Sequence, residues 1–389
     1  MFVAVTVTIV GILTVATITQ LFGYRTGGTI TIPVVAVYTL KNFYMLPIFL
    51  FSTVVAYVVL YAAKHRTLVY GRDELLIAMG VGSAVPLALL LGLSSSLPES
   101  LRSVVFIGSI LPGLAAYNYH QVKPQYRKWD VLTTGVVLCG LVALGWLLVS
   151  PELATSIGSL TPPVLYSATA DVALQKAAVV PSDLEPTILE RPVAVVLFLF
   201  GVAISERIRS RYGVRTGLVA MALLAIYALA NAWLVVLYLL VLAAAYTALK
   251  TVHYVTLLYG RVLIAAATVG ALLIVVPLTL ALPTARGLSA FFVAIIAGVN
   301  AYSWHVTSPT HRTSFVPLQV GAFLFLLAIT QLFALVRPDV VPSVYGVPVL
   351  VVMVVVSLAC VAFVEYRTVD LPDQDSIFEA SILSGGGES

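Results

Sequence analysis

The chain has 389 residues, of which 60% are hydrophobic and only 10% are charged. A soluble globular domain carries about 25% charged residues, so this composition excludes an ordinary soluble enzyme. Apolar stretches of near-spanning length recur along the chain, and they indicate an all-α polytopic membrane protein.

The sequence predicts six apolar segments in its first half, six in its second half and one more near the C-terminus. The first six are residues 2–22, 28–40, 43–63, 75–93, 104–119 and 131–149. The others are residues 192–205, 217–230, 233–249, 263–282, 288–303, 314–336 and 344–364. No basic residue precedes the first segment, and it is longer than a signal-peptide core. We therefore expect a retained helix there.

Three short motifs occur once in each half, in the same order. Residues 24–27 match 214–217 through Arg-Thr-Gly, residues 68–72 match 257–261 through Tyr-Gly-Arg, and residues 112–120 match 297–305. The offsets are 190, 189 and 185 residues, far longer than a solenoid unit. We predict two fused copies of one membrane module. An even number of crossings per copy makes the copies parallel.

The predicted organisation has five parts. They are a first repeat at 1–149, an extracytoplasmic linker at 150–191, a second repeat at 192–336, an extra transmembrane helix at 337–364 and an acidic flexible tail at 365–389. The linker is rich in proline and acidic residues, and we expect a short helix near 168–179.

The distribution of basic residues predicts the orientation. If every segment crosses the bilayer, one face receives fifteen of the 21 basic residues, and the positive-inside rule places that face in the cytoplasm. The N-terminus is then outside and the C-terminus inside. Segments two and five are short and contain Pro33 and Pro112. Treating them as re-entrant worsens the charge partition, so spanning segments are favoured.

The sequence contains no recognisable catalytic motif. It lacks a Gly-rich loop ending in Lys-Ser or Lys-Thr, a His-Glu-x-x-His run and paired cysteines with metal-ligand spacing. We therefore expect no catalytic residue, no metal, no cofactor and no nucleic-acid partner. The predicted spans also lack acids or histidines at mid-depth, which disfavours a proton- or ion-coupled transporter.

Four arginines in the repeated motifs are the candidate anion-binding residues: Arg25, Arg72, Arg215 and Arg261. Arginines and helix N-termini both favour anions, although arginines at cytoplasmic helix ends also serve simply to orient a helix. The other repeated residues are interpreted as structural. They are the glycines Gly27, Gly71, Gly113, Gly217, Gly260 and Gly298, the tyrosines Tyr70, Tyr117, Tyr259 and Tyr302, Pro112, and the hydrogen-bonded helix tips His120 and His305. For the glycines, close helix contact is the favoured interpretation.

The motif order resembles that of the CapC/PgsC family, the small membrane subunit of poly-γ-glutamate synthase. Arg25-Thr26-Gly27, Tyr70-Gly71-Arg72 and residues 112–115 carry the resemblance in the first half, and the second half matches more loosely. The family is usually one module long. Tyr24 and Val214 stand where it often has Glu, and Ala297 stands where the first half has Pro112.

The resemblance implies a non-catalytic subunit of a plasma-membrane complex for capsule polymer synthesis and export. A separate ATP-dependent amide ligase, CapB/PgsB, activates glutamate in that family, and CapA/PgsA is a further subunit. The basic cytoplasmic face would then receive the polyanionic product. Two alternatives stay open. A duplicated small-solute permease predicts a polar cavity at mid-depth, and a membrane scaffold that recruits cytoplasmic enzymes needs no conduit.

Overall fold

The fold is described from a computed structural model that covers residues 1–67, 69, 71–92, 110–181, 189, 191–214, 217–258, 260–284, 287–336 and 344–368. Regular structure in these ranges is entirely helical, which confirms the predicted fold class. Six helices form the first half: α1 (Phe2–Phe22), α2 (Thr31–Lys41), α3 (Met45–Arg66), α4 (Arg72–Gly92), α5 (Ile110–His120) and α6 (Arg127–Leu148).

Seven further helices follow the linker. They are α7 (Arg191–Tyr212), α8 (Leu218–Ala230), α9 (Trp233–Thr256), α10 (Arg261–Ala281), α11 (Gly287–Val306), α12 (Pro309–Val336) and α13 (Val347–Thr368). Each of the thirteen corresponds to one predicted apolar segment. Eight helices in the described part of the chain are long and apolar enough to cross a membrane. Many large apolar side chains on them face outward, as a lipid-facing surface requires.

The same helix pairs contact each other in both halves. In the first half, α1, α2 and α6 form one group and α3, α4 and α5 form another. In the second half, α7, α8 and α12 form the equivalent group, as do α9, α10 and α11. The halves meet through α1 against α10 and α4 against α7, and exchanging the halves turns the first contact into the second. The helix contacts of the two halves therefore correspond pair by pair.

The short helices α2 and α8 lie at the centre of the molecule. Every residue of α2 from Thr31 to Leu40 is buried, and nearly all of the described side chains of α8 are buried too. At a rise of about 1.5 Å per residue, the 11 residues of α2 span about 16 Å, roughly half of a bilayer core. Pro33 lies in the first turn of α2, where its missing N–H has no intrahelical partner to lose. The proline thus accompanies the start of the helix and does not interrupt it.

One hydrophobic core runs through both halves. The Tyr38 ring on α2 stacks on the Phe292 ring on α11, with centroids 5.5 Å apart. Residues of the first and second halves, Val37 and Tyr227 among them, belong to a single buried cluster.

The linker covers one end of the helix assembly, which we call the linker end. The N-terminal ammonium of Met1 donates to Pro162 O at 3.0 Å, and Phe43 N donates to Asp171 Oδ2 at 2.9 Å. The short helix Asp171–Gln175 lies inside the range predicted for it. Since α1 begins at the linker end, its last turn and the loop containing Arg25 lie at the opposite end. We call that opposite end the arginine end, defined by Arg25, Asn118, Asp130 and Arg261.

Candidate functional site

A hydrogen-bonded loop connects α1 to α2 at the arginine end. Helix α1 stops at Gly23, which has a φ of 70° and donates to Thr19 O. The backbone N–H groups of Arg25 and Thr26 then both donate to Asp130 Oδ1, at 2.7 and 2.8 Å. Thr26 is fully buried with a φ of 42°, a strained conformation for a β-branched residue. The bonds to Asp130 therefore hold the loop in a shape that its own sequence disfavours.

Asn118, near the end of α5, links this loop to the second half of the chain. Its Nδ2 donates to Gly27 O at 3.2 Å and to Leu114 O at 2.9 Å. Its Oδ1 accepts a hydrogen bond from Nη2 of Arg261 at 3.1 Å. Arg261 is the first residue of α10, which packs against α1. The amide of Asn118 thus joins Arg-Thr-Gly of the first half to Tyr-Gly-Arg of the second.

The charges at this junction are unbalanced. The guanidinium of Arg261 lies within Coulombic range of Arg25, Tyr117 and Asp130. Both arginines are half-buried, and no described residue accepts a hydrogen bond from the Arg25 side chain. Asp130 is fully buried, and within the described residues its Oδ2 has no hydrogen-bond partner. Two cations and one buried carboxylate leave the site with a net positive charge that favours an anion.

The corresponding place in the second half has different polar groups. Arg127 and Arg312 mark equivalent positions, and Phe315 therefore stands where Asp130 stands in the first half. A Cβ added to Gly217 would collide with Oδ1 of Asn300, so the chain passes very close to α11 at this point. Asn300 is buried, and its Nδ2 donates to Tyr238 Oη at 2.6 Å.

The four candidate arginines fall into two groups. Arg25 and Arg261 come together across the halves, as described above. Arg215 lies outside the described residues, as do Tyr70 and Tyr259, and the side chain of Arg72 is likewise outside them. The anion-binding role of all four arginines stays a prediction.

Arg127 and Arg312 have matching structural roles. Arg127 donates from Nε to Val122 O at 3.1 Å and from Nη2 to His120 O at 3.5 Å. Arg312 donates from Nε to Thr307 O at 3.0 Å and from Nη2 to His305 O at 2.8 Å. Each guanidinium caps carbonyls that the preceding helix leaves without intrahelical donors. Sequence reasoning missed this capping function of Arg127 and Arg312.

The two repeated histidines have different surroundings. The His120 ring stacks on Tyr57 with centroids 4.2 Å apart, and its Nε2 lies 3.0 Å from Tyr57 O. His120 thus lies at the end of α5 with a backbone carbonyl within hydrogen-bond distance. The His305 ring lies edge-on to His253, with centroids 4.9 Å apart, and its buried Nδ1 has no hydrogen-bond partner in the described structure.

A second buried acid, Glu74, also belongs to the first half. Its Oε1 lies 2.9 Å from Lys64 Nζ, and its Oε2 accepts from Gln121 Nε2 at 2.9 Å. Leu263 stands at the equivalent position in the second half. Glu74, Asn118 and Asp130 were all missed by sequence reasoning. The only signal was that each is a polar residue without a polar counterpart of the same type in the other half.

The repeated glycines serve two different purposes. A Cβ at Gly113 would lie 2.7 Å from Met79 Cα, and one at Gly298 would lie 2.7 Å from Thr268 Cα. These distances show close helix contact of α5 with α4 and of α11 with α10. At Gly71 and Gly260, no described atom lies within 4 Å of an added Cβ. Both have a φ of 66°, which glycine adopts without steric strain, so they provide the positive-φ backbone before α4 and α10.

The described residues contain no group of three or more His, Cys, Asp or Glu side chains placed to hold a metal ion. Chemically, the arginine end offers guanidinium donors and a positively charged surface, which are suited to holding an anion. The buried Asp130 is already engaged with backbone N–H groups and acts on the loop conformation.

The fold and this site together define a multi-pass helical membrane protein with a polar, arginine-bearing end. Residues 10–128 match the family model described as capsule biosynthesis CapC, and this part of the chain is therefore a CapC domain. The match includes the loop of Arg25 and the whole of α2 to α5, and it ends two residues before Asp130. No curated protein and no solved structure matches the chain. Duplication of the module stays an interpretation of the motif spacing and the helix contacts.

Proposed function

We propose that this protein is the membrane component of a poly-γ-glutamate-type capsule synthesis and export complex. A separate ATP-dependent ligase of the CapB/PgsB type makes the polymer, with a CapA/PgsA-like subunit as a further partner. The arginine end faces the cytoplasm and receives the anionic chain near Arg25, Arg72, Arg215 and Arg261. The CapC domain supports the coarser part of this proposal, a membrane component of capsule biosynthesis.

One observation carries the proposed polymer-receiving role. Arg25 and Arg261 are 236 positions apart in the chain, yet Asn118 bonds both to Arg261 and to Gly27, two residues from Arg25, at the same end of the molecule. Two like charges repel, and a bound anion relieves this repulsion. A polymer with one carboxylate per unit offers many such anions in succession. Its local concentration near a positive surface is raised electrostatically.

Charge reversal tests this role. Arg25→Glu combined with Arg261→Glu should abolish surface polymer, because the site then repels carboxylates. The matched control is Lys123→Glu combined with Lys128→Glu. These two lysines are exposed near the same end of the molecule and have no hydrogen bond in the described structure, so this pair changes the net charge equally. Surface polymer is measured per amount of protein inserted in the membrane. Equal polymer output from both double variants would rule out a specific role of the two arginines.

A second candidate function is a scaffold that recruits the ligase without conducting polymer. It is favoured by the single hydrophobic core through α2, α8 and α11, which shows apolar packing where the halves meet. The same packing speaks against the small-solute permease, which needs a polar cavity at that depth. Purification with neighbouring proteins, followed by reconstitution with labelled polymer, separates the candidates. Ligase copurification supports both a synthase subunit and a scaffold, whereas polymer crossing the bilayer supports the synthase subunit alone.

A further inference from the structure

The arginine end is built unequally by the two halves of the chain. We propose that the protein has one carboxylate-binding site, formed by Arg25 of the first half and Arg261 of the second, and that the second half forms no equivalent site of its own. This inference rests on the proposed function, and it narrows that function from four candidate arginines to one pair.

The first argument is that the loop of Arg25 is fixed before any ligand arrives. Its two N–H groups at Arg25 and Thr26 share one carboxylate oxygen of Asp130, and Gly27 O is held by Asn118. A binding group fixed in place loses less conformational entropy when a ligand binds. The bonds also hold Thr26 at its unfavourable positive φ, so the shape depends on Asp130 and Asn118 together.

The second argument is that the second half of the chain supplies one of the two arginines of the site. Arg261 uses Nη2 to reach Asn118 Oδ1, and this bond fixes the guanidinium beside the first-half loop. A guanidinium has five N–H donors, so further donors stay available for a ligand. No residue in the described structure accepts a hydrogen bond from the Arg25 side chain. Two arginine side chains with free donors, one from each half, suit the planar oxygen pair of a carboxylate.

The third argument is that the second half lacks the groups that build the loop. Phe315 replaces Asp130 at the equivalent position, so this position of the second half offers no carboxylate. Ser303 replaces Asn118, and a serine side chain is too short to bond a loop carbonyl and an arginine at once. Phe315 is instead fully buried, with its ring 6.4 Å from that of Trp304. An apolar ring in this place stabilises packing and binds no anion.

The binding test uses purified full-length protein in nanodiscs of phosphatidylcholine, which carries no net charge. The probe is a fluorescent short γ-linked oligoglutamate, with the corresponding γ-linked oligoglutamine as the uncharged control. We expect the charged probe alone to bind. Arg25→Gln and Arg261→Gln should each weaken binding about tenfold, and the double variant should lose little more, since both side chains serve one site.

The matched variant is Arg215→Gln, which removes the same residue type from the same motif in the other half. We expect it to change affinity less than twofold. Equal losses for Arg25→Gln and Arg215→Gln would show two equivalent sites and overturn the proposal. Independent, additive losses for Arg25 and Arg261 would overturn it as well. Arg25→Lys keeps the charge but removes the planar guanidinium that can donate two parallel hydrogen bonds. We expect an intermediate affinity for this variant.

An anionic lipid phosphate is the other possible occupant of a two-arginine site near a membrane surface. Nanodiscs containing phosphatidylglycerol distinguish the two sources. Retained oligoglutamate binding in these discs supports the proposal. If phosphatidylglycerol binds at Arg25 and Arg261 and oligoglutamate binds in neither disc, the site is a lipid site and the proposal is overturned. The cellular charge-reversal test stays independent. If it abolishes polymer while Arg215→Gln binds as weakly as Arg25→Gln, only the single-site inference fails.

Discussion

Helix α6 begins Arg127-Lys128-Trp129-Asp130, whereas the equivalent stretch of α12 reads Arg312-Thr313-Ser314-Phe315. The first arginine of each stretch has the same structural role in both halves, because it donates hydrogen bonds to the carbonyls at the end of the preceding helix. The fourth residue differs completely. Asp130 organises the loop of Arg25, and Phe315 packs near Trp304. The comparison teaches that helix packing is shared by the halves while the polar chemistry of the arginine end is not.

The largest expected effect concerns the shared packing. Gly113→Ala and Gly298→Ala each place a Cβ within 2.7 Å of a backbone Cα on the neighbouring helix, and helix backbones have little room to move. We expect each to destabilise the fold by about 1–3 kcal/mol. The measurement is thermal stability of the detergent-purified protein by fluorescence-detected size exclusion.

Gly140→Ala is the control for both glycine variants, because no described atom lies within 4 Å of its added Cβ. We expect a gain of up to about 1 kcal/mol from the better helix propensity of alanine. A large loss for only one of Gly113→Ala and Gly298→Ala would show that the two helix contacts are not equivalent after all.

The next largest effect concerns Asp130, which has no acidic counterpart in the second half. Asp130→Leu removes the acceptor of two backbone N–H groups, and each unsatisfied group costs about 1–3 kcal/mol. Removing a buried carboxylate offsets part of this cost. We expect faster amide hydrogen exchange at Arg25 and Thr26, measured by mass spectrometry.

Asp130→Asn retains an Oδ1 acceptor and should keep most of the exchange protection at Arg25 and Thr26. Phe315→Leu is the corresponding apolar change in the second half, and it should leave exchange at these two residues unchanged. If Asp130→Asn exchanges as fast as Asp130→Leu, the loop is held by something other than the carboxylate oxygen.

The smallest effect sharpens the similarity between the halves. Arg127→Gln and Arg312→Gln each remove two bonds to helix-end carbonyls, and we expect a loss of about 1 kcal/mol for each because both side chains are partly exposed. Arg127 also donates to Tyr57 Oη at 3.2 Å, so its loss should be slightly larger. Lys123→Gln, at an exposed position, should change the melting temperature little. A difference of more than about 1 kcal/mol between the losses for the two arginine variants would contradict a shared capping role.

Apolar runs were enough to predict the helices, because a helix buried in lipid or in the core must be apolar whatever its tertiary contacts are, and a full crossing requires about 20 such residues. The bounds of α1, Phe2–Phe22, coincide with the predicted segment. The predicted bounds were less accurate where a helix ends in polar residues. Helix α7 continues to Tyr212, seven residues beyond the apolar run, because its last turns carry Arg209 and Glu206, which pair with each other.

The candidate site was only partly predictable. Repetition identified Arg25 and Arg261, but the sequence does not show that they meet across the halves. The bond between Arg25 N and Asp130 joins residues 105 positions apart, and a lone acid among apolar residues carries no sign of its partner. Repetition also drew attention away from Asp130 and Asn118, since neither is repeated.

The packed linker has an evolutionary consequence. In an assembly of two identical chains, every substitution appears at both symmetry-related positions, so an acid introduced beside one loop is introduced beside the other. A single chain that joins its halves through residues 150–181, anchored on Met1 and Phe43, is free of this restriction. One half can then specialise in handling a ligand while the other retains the shape that supports it.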